Sequence, residues 1–212
     1  MIRRPLGNGR RQPPILNLPP TTRLVAAVLL LGFLASLVPD LRFVAFYYLA
    51  FDPFAGPVRW VTGAATYGLL HAGFMHLLGN LLGIVILGPL VERRLGSAAL
   101  ILVLLLGAFA GALAHTLVQI ATGGDAALIG ASASAAALIG WSLRQIREHR
   151  GFGHLDQAVN LYGALFILFN LVGIVLFHDS PIAYAAHAGG FLAGWLYGGG
   201  RRRIPDRAGR RG

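Results

Sequence analysis

Six long segments of this chain carry no Asp, Glu, Arg or Lys, and this feature limits the possible folds more than any other. They cover residues 24–39, 60–91, 95–124, 126–143, 157–177 and 180–200. Most approach or exceed the roughly 20 residues that an α-helix needs to cross a bilayer. The first and fourth are shorter and need flanking polar residues to complete a span. We therefore expect an all-α membrane protein with six transmembrane helices and no separate soluble domain.

The composition agrees with this class. Hydrophobic residues make up 56% of the chain and charged residues 12%, about half the charged share of a typical soluble domain. All 18 basic residues are Arg, and the net charge is +10. They lie in short runs between apolar segments, so we expect contacts with anionic lipid headgroups and no nucleic-acid partner. The absence of Cys excludes disulfides, thiolate catalysis and cysteine metal sites.

The distribution of Arg predicts the orientation of the chain. With the N-terminus inside, sixteen Arg fall on the inner side, and only Arg42 and Arg59 fall in outer loops. Because cytoplasmic loops carry the excess of basic residues, we expect a multi-pass protein of a bacterial or archaeal plasma membrane with both termini cytoplasmic. Residues 1–20 and 201–212 are expected to be basic tails, the first disordered, around a membrane domain at 21–200. The aromatic stretch 43–51 is too short to span and is expected at the interface.

Polar residues occur inside segments where an unpaired polar group would cost several kcal/mol. His71, His76 and Asn80 lie in the second segment, Ser132 in the fourth and His187 in the sixth. All three segments enter from the outer face in this topology. Ser132 would lie about six residues and His187 about seven residues into their helices, which places both roughly 10 Å below the outer surface. Ser132 and His187 can therefore face each other, and His76 and Asn80 share one helix face at a similar depth.

Small residues recur every four positions in the same two segments, which predicts close helix packing. They are Ser132, Ala136 and Gly140 in the fourth segment and Ala186, Gly190, Gly194 and Gly198 in the sixth. Such faces let membrane helices pack backbone to backbone. That packing permits a Ser–His hydrogen bond of about 2.6–3.2 Å.

Each feature also has a structural interpretation. A Ser in a membrane helix commonly bonds to a carbonyl of the preceding turn, and a buried His can serve packing alone. A transporter or proton channel would be expected to hold a charged residue within a span, and no Asp, Glu or Arg lies deep in any of the six. A metal site formed by His71, His76 and His187 lacks an acidic partner, so we expect no metal or other cofactor. The coincidence of Ser, two His and Asn at one depth favours catalysis.

At these residues the chain resembles the rhomboid proteases, over roughly residues 20–200. Residues 71–97 look like the family's second helix and the loop after it. The matching positions are His71, His76 and Asn80, then Gly88, Glu92 and Gly96, then Gly130 and Ser132 of a Gly-x-Ser motif, and His187 followed by Ala188, Gly189 and Gly190.

The resemblance implies that Ser132 is the nucleophile and His187 its general base, without a third acidic member. His76, Asn80 and the Ser132 backbone N–H would form the oxyanion hole, and Gly130 would let the backbone approach the reacting carbonyl. It implies transmembrane protein substrates, cut near the outer membrane boundary. The alternative is a catalytically impaired rhomboid-like protein that binds membrane clients, although such proteins usually lose the Ser or the His.

The chain departs from the family pattern at three places. Ala133 replaces a common Gly, and Arg59-Trp60 inverts the usual Trp-Arg pair of the first loop. Ala136 replaces an aromatic residue packed on the catalytic His, so we expect a gap there that Ala136→Tyr would fill, with faster turnover.

Ser134 is an alternative nucleophile. It lies about 200° around the helix from Ser132, so only one of the two can face His187. The spacing of eight residues from Ser132 to Gly140 favours Ser132.

Overall fold

The computed structural model describes residues 17–148, 150–176 and 184–199. All regular secondary structure in these ranges is helical, which confirms the predicted all-α class. The α-helices are α1 (Pro20–Ala35), α2 (Pro39–Leu49), α3 (Pro57–Thr66), α4 (Phe74–Leu95), α5 (Ser97–Thr122), α6 (Ser132–Arg147), α7 (Asp156–Leu176) and α8 (Tyr184–Gly199). Short 3₁₀ turns cover Tyr67–Leu69 and Gly153–Leu155.

Three of the described helical segments are long and apolar enough to cross a membrane. These are α4, α5 and the segment Gly153–Leu176 that contains α7, and α1 is a shorter apolar helix. The count of six spans stays a prediction. The predicted tails lie mostly outside the described residues, apart from 17–20, where Pro20 already begins α1.

The second predicted segment, 60–91, is not one helix. α3 ends at Thr66, and α4 begins only at Phe74, because the backbone is extended at Leu70 and Gly73. His71 therefore lies in the connection between the two helices rather than within a span.

The fourth predicted segment also begins differently. Gly123 closes α5 in the left-handed conformation with φ 69°, a common helix stop, and α6 starts at Ser132 rather than near residue 126. Ser132 is thus the first residue of its helix, not about the sixth. The intervening connection is anchored by two backbone hydrogen bonds, 3.0 and 2.8 Å long, between Phe51 and Leu128.

α6 is the centre of the bundle. Its residues 133–142 are all buried, and it packs against α4, α5, α7 and α8. The contact with α8 is the closest, since a methyl group added at Gly190 or Gly194 would lie 2.1 or 1.9 Å from the carbonyl oxygens of Ala133 and Ala137. The two small-residue faces therefore meet backbone to backbone, as predicted.

Glu92 joins α4 to the start of α1. Its carboxylate accepts hydrogen bonds from the Thr21 N–H at 2.9 Å, the Thr22 N–H at 2.7 Å and the Thr22 hydroxyl at 2.8 Å, and the Ser97 hydroxyl donates to it at 3.2 Å. The first N–H groups of a helix have no partner within it, and a negative charge is favourable there. The Glu of the Gly-x3-Glu-x3-Gly motif thus caps α1 and fixes it against α4.

α2 presents an aromatic surface. Phe43, Tyr47 and Tyr48 are 73%, 55% and 65% exposed. Exposed aromatic residues are typical of a membrane interface, and the interfacial location of 43–51 stays a prediction.

Candidate active site

Ser132 and His187 meet at the contact between α6 and α8. Ser132 Oγ lies 2.8 Å from His187 Nε2, and His187 is 7% exposed. The tight contact at Gly190, one turn after His187, lies beside this pair, because Ala133 opposite Gly190 is the neighbour of Ser132. The structure therefore brings together the two residues that the sequence paired.

A third residue, which the sequence analysis missed, completes this contact. Asn170 of α7 places its Oδ1 2.7 Å from His187 Nδ1. An amide oxygen only accepts hydrogen bonds. In the neutral imidazole, Nδ1 therefore carries the proton and donates a hydrogen bond to Asn170 Oδ1. The lone pair of Nε2 is then free to accept the Ser132 hydroxyl proton. A polar residue in the middle of an apolar segment was the signal available in the sequence.

The imidazole of His187 is also packed by aromatic rings. The ring centroid of Phe166 lies 5.5 Å from that of His187, and that of Tyr184 lies 6.5 Å away. Ala136 is fully buried at 0% exposure. The prediction of a gap beside His187 is therefore wrong. The ring that contacts His187 comes from Phe166 of α7 and not from position 136 of α6.

His76, Asn80 and Gly130 form the opposite side of the site. Gly130 has φ 102°, a conformation that favours glycine, and an added Cβ would lie 2.4 Å from His76 Nε2 and 3.4 Å from Asn80 Nδ2. His76 Nδ1 accepts a hydrogen bond from the Ala72 N–H at 3.4 Å, which leaves the proton on Nε2, facing Gly130. In the described part of the chain, the buried Asn80 Nδ2 has no acceptor. Two side-chain donors thus point at the backbone just before Ser132.

The connection that carries Gly130 is held by three hydrogen bonds, one to Tyr67 and two to residues of α5. The Gly130 N–H donates to the Tyr67 carbonyl at 2.9 Å. His115 of α5, a second residue that the sequence analysis missed, donates from Nε2 to the Ala126 carbonyl at 2.7 Å, and the Ala126 N–H donates to Gln119 Oε1 at 3.1 Å. The start of α6 is therefore fixed against its neighbours.

Ser134 points away from this site. Its hydroxyl donates to the Leu104 carbonyl at 2.8 Å, so it ties α6 to α5. Ser134, the alternative nucleophile, thus takes part in a contact between two helices.

The inverted Arg59-Trp60 pair still anchors the first loop. The Arg59 guanidinium donates to the Tyr47 carbonyl at 2.8 Å, and Trp60 Nε1 donates to the Thr116 hydroxyl at 3.3 Å. Arg59 joins α3 to α2, and Trp60 joins α3 to α5.

The fold and the site together define an apolar helical membrane protein that holds a hydrogen-bonded Ser–His pair, with the side-chain donors of His76 and Asn80 beside the backbone just before the Ser. The family model of the Rhomboid domain matches residues 58–203. The chain belongs to the rhomboid family. It is 31% identical over 141 residues to the mouse (Mus musculus) Rhomboid-related protein 2, an alignment that covers 63% of this chain and 45% of the relative. The chain thus spans less than half the length of that relative.

Proposed function

We propose that this chain is an intramembrane serine endopeptidase in which Ser132 is the nucleophile and His187 the general base. The observation that carries the proposal is the 2.8 Å contact between Ser132 Oγ and His187 Nε2, together with the Asn170 Oδ1 contact that favours the proton on Nδ1. Nucleophile and base within hydrogen-bond reach, with the base oriented by a further group, is the arrangement that activates a serine.

The reaction follows from these positions. Ser132 Oγ attacks the carbonyl carbon of the substrate while His187 Nε2 takes the hydroxyl proton, and a tetrahedral intermediate forms. As the peptide C–N bond breaks, His187 returns that proton to the leaving amine. Water then attacks the acyl-enzyme, with His187 again as base, and releases the acid and the free Ser132.

The negative oxygen of the intermediate needs fixed donors in a site of low dielectric. Ser132 is the first residue of α6, so its backbone N–H has no partner within the helix and lies at the positive end of the helix dipole. His76 Nε2 and Asn80 Nδ2 supply two further donors beside Gly130. This set supports the assignment of all three as the oxyanion hole.

The substrates we propose are single-pass membrane proteins, cut near the outer membrane boundary. A substrate helix must unwind locally to present a carbonyl to Ser132, and Gly or Pro near the cut lowers that cost. The alternative, a client-binding protein without catalysis, is less well supported because Ser132 and His187 are both present and hydrogen-bonded.

The test compares two serines two residues apart. In a reporter assay with a purified membrane substrate, Ser132→Ala should abolish cleavage and labelling by a serine-directed fluorophosphonate. Ser134→Ala should keep most activity, because that hydroxyl donates its hydrogen bond to the Leu104 carbonyl of α5. Full cleavage by Ser132→Ala would refute the assignment, and a wild-type chain that neither cleaves nor labels would favour the client-binding alternative.

A further inference from the structure

A continuous chain of hydrogen bonds runs behind His187. The Asn170 Nδ2 group donates to the Phe166 carbonyl at 2.8 Å, His187 Nδ1 lies 2.7 Å from Asn170 Oδ1, and Ser132 Oγ lies 2.8 Å from His187 Nε2. Three helices, α7, α8 and α6, contribute to it in that order.

We propose that Asn170 is the positioning residue for His187, so that the site works as a Ser132–His187–Asn170 triad; this rests on the proposed function. The polarity of the chain is fixed at its far end. The Phe166 carbonyl can only accept, so it takes the Asn170 NH₂ group, and Oδ1 must then face the imidazole. If the amide were reversed, Oδ1 would lie next to the Phe166 carbonyl oxygen and that hydrogen bond would be lost. Only the arrangement with Nδ2 at Phe166 and Oδ1 at His187 gives hydrogen bonds to both neighbours.

That arrangement selects the reactive form of His187. With the proton held on Nδ1, the Nε2 lone pair faces the Ser132 hydroxyl, which is the tautomer that a general base requires. The opposite tautomer would lose the bond to Asn170. It would also make Nε2 a donor to Ser132 Oγ, so that Nε2 could not take the hydroxyl proton.

The same turn of α7 also restrains the plane of the imidazole. Phe166 gives its carbonyl to Asn170 and packs its ring 5.5 Å from His187. The hydrogen bond fixes the in-plane direction of the ring, and the aromatic contact limits its tilt. Asn170 therefore orients His187 without touching a substrate. This role accounts for a polar residue in a segment whose mean hydropathy is 2.2.

An amide orients an imidazole but adds no charge when the imidazolium forms. We therefore expect Asn170 to make a moderate contribution to the rate, similar in kind to that of the Asn in Cys-His-Asn proteases.

Asn170→Ala should lower kcat by roughly 10- to 100-fold, about 1.4–2.7 kcal/mol in the barrier, with KM nearly unchanged. Asn170→Asp, which keeps an acceptor oxygen, should recover most of the loss, whereas Asn170→Leu should not. Asn160→Ala is the matched control, since Asn160 is an exposed Asn of the same helix.

The kinetics are measured with a purified reporter substrate in one detergent, together with a thermal melt of each variant. A wild-type kcat in a folded Asn170→Ala protein would overturn the proposal. So would a loss of activity that follows a lower melting temperature and is not recovered by Asp, since that outcome makes Asn170 a packing residue.

A second readout does not depend on activity. Histidine ¹⁵N NMR of the protein in micelles, with the His187 signals assigned by their loss in His187→Ala, should show protonated Nδ1 and unprotonated Nε2 in the wild type. Asn170→Ala should mix the two tautomers. A single unchanged tautomer in Asn170→Ala would overturn the role of Asn170 even if Ser132 is the nucleophile. Failure of the protease assignment would show separately, as cleavage by Ser132→Ala.

Discussion

The contact between α6 and α8 at Gly190 offers a direct test of how packing sets the active-site distance. In Gly190→Ala the new methyl carbon would lie 2.1 Å from the Ala133 carbonyl oxygen and 2.8 Å from its carbon. Both are backbone atoms, so no side chain can swing away. Since ordinary contact begins at 3.4 Å, the two helices must separate locally by about 1.3 Å.

That displacement falls at the level of the proposed catalytic pair. Ala133 follows Ser132 directly, and His187 lies one turn before Gly190. If the shift is transmitted in full, the 2.8 Å distance between Ser132 Oγ and His187 Nε2 becomes roughly 4 Å, beyond the reach of a hydrogen bond. A displacement of about 1 Å in an active site can cost on the order of 100-fold in rate. Overpacking should also cost about 1–3 kcal/mol of stability.

The assay uses turnover of a reporter membrane substrate, the rate of fluorophosphonate labelling and a thermal melt, all in one detergent. Gly79→Ala of α4 is the control, because an added methyl there meets nothing within 4 Å while the gain in helix propensity, about 1 kcal/mol, is the same. Gly190→Ala should be slower in both activity measurements and melt lower than Gly79→Ala. Equal kcat and equal melting temperature in the two variants would refute the idea that close approach at Gly190 sets the Ser–His distance.

Three further outcomes are expected. His76→Ala and Asn80→Ala should each lower kcat by about 10- to 1,000-fold while Ser132 stays accessible to the probe, and unchanged kcat in both would remove them from the oxyanion hole. Ala136→Tyr should lower kcat and the melting temperature, because Ala136 is fully buried and Phe166 already packs on His187; a faster, equally stable variant would show that space exists there. A reporter fused after Gly212 should score as cytoplasmic, and an external score would overturn the predicted orientation.

The sequence by itself determined the class of the protein. Hydropathy and the placement of Arg depend on local composition, so the apolar segments indicated an all-α membrane protein before any contact was known. Small residues spaced by four predicted the α6–α8 contact for a similar reason, because helix geometry converts spacing directly into a face. The motifs that carry the family resemblance predicted Ser132, His187, His76 and Asn80 as site residues, and the family match supports that resemblance.

Only the tertiary structure decided where the helices begin and what surrounds His187. The break before α4 and the start of α6 at Ser132 depend on contacts between distant segments, such as the Phe51–Leu128 hydrogen bonds, which hydropathy does not record. Asn170 and Phe166 reach His187 from α7, a helix that is neighbour to α8 in sequence but whose rotation is fixed by packing alone. A polar residue in a span indicates that it has a partner; which partner it finds depends on the relative positions of three helices, and no local pattern encodes them.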